Sequence, residues 1–247
     1  MNEDELLRKI LENPFSPDLL QDVSRIQNSD RKMELLLENI HPRFVPYLIT
    51  GLSTRQLGTI IKKSKSLDAR EEAIYRIQED DEFFINLLDH PDFPVSTKLE
   101  LVNRISSEEA LVQVAIETTE SSIGVVIPRK IKKETNIRKI IRESKCLMAR
   151  ISGVKFLQNG NDKFLGDLVF STPQKLQEAI IAKIKDEEIL FKIFVEYDDP
   201  DIQQEIIGKI KEFHILLSLK LHSTSPKVTK LIERRIEELK KKGEWKN

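Results

Sequence analysis

Leu176-Gln-Glu-Ala-Ile-Ile-Ala-Lys-Ile184 is followed by Asp186-Glu-Glu-Ile-Leu-Phe-Lys-Ile-Phe-Val195, and Ile202-Gln-Gln-Glu-Ile-Ile-Gly-Lys-Ile210 then repeats the first phrase 26 residues on. Each phrase sets its apolar residues at helical spacing, so a pair of short helices recurs here. Working outward, the last apolar residue of each first helix gives the series Ile26, Leu52, Ile77, Ile105, Ile131, Leu157, Ile184, Ile210 and Ile236, at spacings of 25 to 28 residues. Positions three and four before these anchors are mostly Ile, Leu, Val or Ala, which share one helix face with the anchor and predict a buried stripe. The residue just before the anchor is Arg25, Arg76, Arg104, Lys130, Lys183, Lys209 or Arg235 in seven of nine units, a cation at the carbonyl end of a helix.

Prolines keep the same frame. Pro42, Pro200 and Pro226 fall ten residues before an anchor, Pro94 and Pro173 eleven, Pro17 nine, as expected of helix starts. Pro46 fits only near a first turn, and Pro128 falls mid-helix, which predicts a kink or a late start in its unit. Ser106-x-x-Glu109, Asp80-Asp-Glu82, Asn161-Asp162 and Asp186-Glu-Glu188 supply capping residues for the second helices. Phe83, Phe84, Leu87 and Leu88, and again Phe164, Leu165 and Leu168, read as the apolar face of such helices. Alternating strand patterns are missing. The expectation is an all-α chain, an α-solenoid of about nine short hairpins in one continuous domain over 1–247. Half-units cap it at 1–16 and 226–242, and a frayed tail covers 243–247. A two-helix unit of this size cannot bury both faces alone and must stack on its neighbours, leaving one exposed helix row as the natural binding surface.

The run Ala69-x-x-x-Ala73-Ile74-x-x-Ile77, a turn, an apolar helix and Pro91 resembles the HEAT-like and armadillo-type α-solenoid repeats. The boundaries Asn13-Pro-Phe-Ser-Pro17 and Asp198-Asp-Pro200 also resemble short bacterial helical repeats, and the unit is shorter than the standard HEAT repeat. The resemblance covers essentially the whole chain and rests on a packing motif. It implies a scaffold or adaptor, with minorities of such proteins binding nucleic acid or acting as enzymes.

Composition narrows the rest. With 33% charged and 39% hydrophobic residues and a formal net charge of −1, the chain has the make-up of a folded protein and offers no global attraction to polyanions. Asn2-Glu-Asp-Glu5 is acidic with no long apolar run behind it, which predicts no secretory signal, no membrane partner and a cytoplasmic location. The lone Cys146 excludes an internal disulfide. Its basic surroundings would favour a reactive thiolate, but packing is the plainer reading. His41, His90, His214 and His222 lack metal-ligand spacing, and phosphate loops, nucleophile elbows and zinc helices are missing. The expectation is therefore no enzyme, no catalytic residues, no metal and no cofactor.

Charge carries the remaining signal. Arg43 to Lys65 holds five cations (Arg43, Arg55, Lys62, Lys63, Lys65) and no acid, and Arg129 to Arg150 holds nine cations against Glu134 and Glu143. Segment 79–120 is acidic, and 186–205 carries eight acids against Lys192. The plain reading is that these bands attract neighbouring units and keep the surface soluble. The sharper one places a protein partner with an acidic surface on Arg138, Lys139, Arg142 and Lys145, with Arg138, Arg142 and Lys145 on one helix face. The alternative is nucleic acid on the bands 43–65 and 129–150, which would require a continuous basic track.

Overall fold

The computed structural model describes residues 8–10, 15 and 18–243. Most of the opening half-unit, the Asn13–Pro17 boundary and the tail beyond Gly243 lie outside the described residues. Among the described residues the chain is all α, with short helices and two 3-10 turns and no strand. It divides into two compact units, residues 1–111 and 112–247.

In the first unit the helices at Asp18–Ser24, Val45–Leu48, Leu67–Arg76 and Val95–Arg104 form one series, each packed on the next. Between them in the chain lie Ser29–Leu37, Thr54–Lys63 and Asp81–Leu88, of which the first two pack on each other. In the second unit Ser121–Val126, Leu147–Phe156, Gln174–Lys183, Pro200–Lys209 and Pro226–Lys242 form the first series. The second series includes Asp162–Val169, Glu187–Glu196 and Phe213–His222. Hairpins such as Thr54–Lys63 with Leu67–Arg76, and Glu134–Glu143 with Leu147–Phe156, join the series.

The anchors sit where the helices stop. Ile77, Ile105, Leu157, Ile184 and Ile210 are each the residue after the last helical one, with extended backbone and buried side chains. The apolar stripe thus continues past the hydrogen-bonded helix and seals the turn. Pro200 and Pro226 open their helices, while Pro94 and Pro173 precede theirs as extended N-cap residues. The two irregular prolines are accommodated in a common way. A 3-10 turn at Pro42–Phe44 leads into Val45–Leu48, whose first turn holds Pro46. At Pro128, α-helix gives way to the 3-10 turn Ile127–Lys130, which lacks the bond a proline cannot donate. Caps follow the expected acids at Asp80, Asp186 and Asp199. At the Glu108–Glu117 helix the cap is Ser107, whose hydroxyl accepts from the Ala110 amide. The capping-box reading of Ser106 is corrected accordingly.

Four of the phased cations act across hairpins, whereas Arg76 pairs with Glu72 of its own helix at 2.6 Å. Arg104 donates through Nη1 to the Tyr75 carbonyl at 3.0 Å and through Nη2 to that of Ile77 at 2.8 Å. Lys183 donates to Lys155 O, Lys209 to Ile181 O and Ala182 O, and Arg235 to Ile210 O. Each reaches the unsatisfied carbonyls at the end of the preceding first helix, where a positive charge is doubly favoured by hydrogen bonding and by the helix dipole. Burial holds the Lys209 ammonium below the usual lysine range, with Glu205 opposing that shift.

Acids do the complementary work at the other helix row. Asp81 accepts from the amides of Ser106 and Ser107, both at 2.8 Å, and from the Ser106 hydroxyl. Asp162 accepts from the Lys185 amide, and Glu187 from those of Lys211 and Glu212. Burial pushes the Asp81 carboxyl up, but the hydrogen bonds outweigh it and hold the group below the ordinary aspartate value. These charged side chains therefore hold one hairpin to the next.

Candidate functional site

Thr54-Arg-Gln-Leu-Gly-Thr-Ile-Ile-Lys-Lys-Ser-Lys-Ser66 aligns without a gap on Glu134-Thr-Asn-Ile-Arg-Lys-Ile-Ile-Arg-Glu-Ser-Lys-Cys146. One segment lies in each unit, and both build the same local structure: a helix of second type, closed by a buried serine. Ser64 Oγ donates to Leu36 O and Ser144 Oγ to Ala115 O, each a carbonyl of the preceding second helix. The next backbone amide repeats the strap, from Lys65 to Leu37 O and from Lys145 to Ile116 O, both at 2.9 Å. The lysine side chain completes it, Lys65 with Glu38 at 2.8 Å and Lys145 with Glu117. We call this three-bond arrangement the clasp.

Its presence redistributes the residues expected to bind a partner. The Glu134–Glu143 helix ends before Lys145, which lies in the clasp rather than on the helix face with Arg138 and Arg142. Arg138 is half-buried. Its Nε donates to Asn161 Oδ1 at 2.7 Å, and its guanidinium stands 5.5 Å from the Phe164 ring. Asn161 in turn donates to Glu134 Oε1 at 3.0 Å and to the Gln158 carbonyl. Arg142 is exposed, with its guanidinium 4.8 Å from the same ring. Lys139 is exposed on the outer side of the helix. The structure thus brings Arg138 and Arg142 together over Phe164 and leaves Lys139 and Lys145 outside that group.

Arg138, Arg142, Lys163, Phe164 and Asp167 line a groove of about 280 Å³. The equivalent place in the first unit holds a groove of about 520 Å³, lined by Arg55, Gly58, Lys62, Lys63, Glu79 and Phe83 among others. Phe83 and Phe164 were read from sequence as core residues; both are half-buried and form groove walls. In the alignment Gly58 stands where Arg138 stands, so the first groove lacks the side chain that covers the phenylalanine in the second. That glycine was the available signal, since a glycine in the middle of an exposed helix has a cost that packing or function must offset.

Other candidates resolve into structure. Cys146 is buried beneath Gly124, where an added Cβ would meet its sulfur at 2.7 Å. His41 and His90 accept from backbone amides two residues on, and His214 lies near Glu188 and Glu212. Among the described residues no group of histidine, cysteine and acidic side chains is placed to hold a metal ion, and no helix is long and apolar enough to cross a membrane.

The fold and its grooves define an all-helical protein whose helices pack on their neighbours in the chain, an arrangement compatible with a helical repeat. Compared with known proteins, the sequence matches no family and no individual curated protein.

Proposed function

We propose that this protein is a non-catalytic α-solenoid adaptor of HEAT-like design that binds a partner protein on the row of second helices. The observation that carries the reading is the recurrence of one groove in each unit, at the same place in the repeat. In both, a basic helix faces a half-buried phenylalanine. Within each unit, stacking of first helices on first helices, and of several second helices on one another, supports the solenoid, because such connectivity leaves helix faces open. A cation-rich groove with an aromatic wall suits an acidic protein surface, where charge steers the approach and the ring supplies apolar contact.

Capture of partners from native lysate by the tagged protein, with and without nuclease, tests this. A near-stoichiometric protein retained after nuclease treatment is the expected result, and joint Arg138→Glu and Arg142→Glu substitution at unchanged helicity reads whether the second-unit groove takes part in its capture. Material that disappears with nuclease would replace the reading with nucleic-acid binding.

A further inference from the structure

The two grooves share a scaffold but not a state. In the second unit the chain fills its own groove, since Arg138 and Arg142 both lie over Phe164 and Arg138 is pinned through Asn161 to Glu134. Among the described residues of the first unit, no arginine or lysine stands over Phe83 in this way. Gly58 leaves the space beside Phe83 open, and an added Cβ at Gly58 would have only the Phe83 Cζ atom within 4 Å, at 3.9 Å. Arg55, Lys62 and Lys63 are all exposed and, among the described residues, none forms an ion pair or side-chain hydrogen bond. Three cations without an ion pair thus line a groove with a half-buried aromatic ring that carries no cation, and Glu79 is the single acid among the lining residues.

We infer that the groove between the Thr54–Lys63 helix and Phe83 docks an acidic segment of a partner protein, whose bulky apolar side chain enters beside Gly58 against Phe83 while flanking carboxylates meet Arg55, Lys62 and Lys63. Charge complementarity selects the acidic residues, and the half-buried ring selects the apolar one. A nucleic-acid strand fits this surface less well. The helix that carries Phe83 starts at the N-cap Asp80 and has Asp81 and Glu82 in its first turn, so the basic surface is short: it suits a few carboxylates around an apolar anchor better than an extended phosphate backbone, which has no apolar group for the ring. The inference deepens the adaptor reading, on which it rests for the class of partner, and assigns the first-unit groove as the open site.

Fluorescence polarisation with three labelled probes tests it. One is a dodecapeptide of aspartate and glutamate around a central Leu-Phe pair, the second replaces that pair by Ser-Ser, and the third is a single-stranded dodecathymidylate. The protein should bind the first saturably and the second about tenfold more weakly, because a buried aromatic anchor carries much of such an interface. Gly58→Arg installs the residue that fills the other groove and should cost about tenfold or more, as should joint Lys62→Glu and Lys63→Glu substitution. Gly58→Ala, which adds only a methyl group at van der Waals distance, should stay within about twofold of wild type. Circular dichroism of each variant separates loss of binding from loss of fold. No saturable binding of the first peptide, or binding indifferent to Gly58→Arg, would overturn the proposal. So would tight dodecathymidylate binding that strengthens with the added arginine. Lysate capture that survives Gly58→Arg together with Lys62→Glu and Lys63→Glu would overturn this assignment while leaving the adaptor reading in place. Failed nuclease-resistant capture alongside specific peptide binding would do the reverse.

Discussion

The helices Thr54–Lys63 and Glu134–Glu143 carry the same buried isoleucines and end in the same clasp, yet one faces an open groove and the other a filled one. The difference comes down to Gly58 against Arg138, and to Asn161, which holds the arginine down. It teaches that a cation in this protein is held by carbonyls of the neighbouring hairpin, held by a carboxylate or ring within the protein, or left to solvent. Only the third leaves charge available to a partner, and counting basic residues along the sequence cannot separate the three.

That comparison assumes that both grooves stand on hairpins fixed by the same cross-hairpin bonds, and the assumption can be broken most forcefully at Arg104. Arg104→Ala removes two donors from helix-end carbonyls and should destabilise the protein by about 1.5–3 kcal/mol, read as a lower urea midpoint at unchanged slope. A change under a few tenths of a kcal/mol would mean that apolar stacking alone sets the hairpin spacing.

The acid side of the clamp is a smaller and pH-dependent effect. Asp81→Asn should cost about 1 kcal/mol at pH 7, allowing for partial exposure. Because the folded-state pKa of Asp81 is depressed, its contribution is present above the ordinary aspartate value near 3.8 and is lost as pH falls through the lower folded value. Wild type and variant should therefore converge in strong acid and differ at neutral pH. A constant difference across that range would show that the carboxylate charge is not what matters.

The sharpest equality test lies in the clasp. Ser64→Ala and Ser144→Ala each leave a buried carbonyl without its hydroxyl donor, and each should cost about 1 kcal/mol, within a few tenths of the other. Unequal costs would show that the two units use the shared motif differently, and would weaken inference from one groove to the other.

The fold was legible because several signals shared one period. Prolines, apolar triplets and the cation before each anchor recur together, and a helix with Leu176, Ile180 and Ile181 buried has little choice but to stack. The site was legible only in part. Arg138 and Arg142 do meet, but on a phenylalanine that sequence assigns to the core, because a half-buried wall and a buried face have the same helical spacing. Lys145 looked like a surface cation and is a clasp residue, since its partner Glu117 is remote in the sequence and is set by the hairpin register. Asn161 stands at the N-cap of Asp162–Val169, as the sequence suggests, but its side chain bridges Arg138 and Glu134 and does not cap that helix. Contacts of this kind depend on how one repeat meets the next, which local periodicity does not encode.

The most direct test of the open groove is chemical-shift mapping, with the acidic Leu-Phe dodecapeptide titrated into the isotopically labelled protein. The account predicts saturating shifts clustered at the amides of Gly58, Thr59, Lys62, Lys63 and Phe83, with little change at Arg138, Arg142 and Phe164. Shifts centred on the second groove, or spread over both basic bands without saturation, would contradict it.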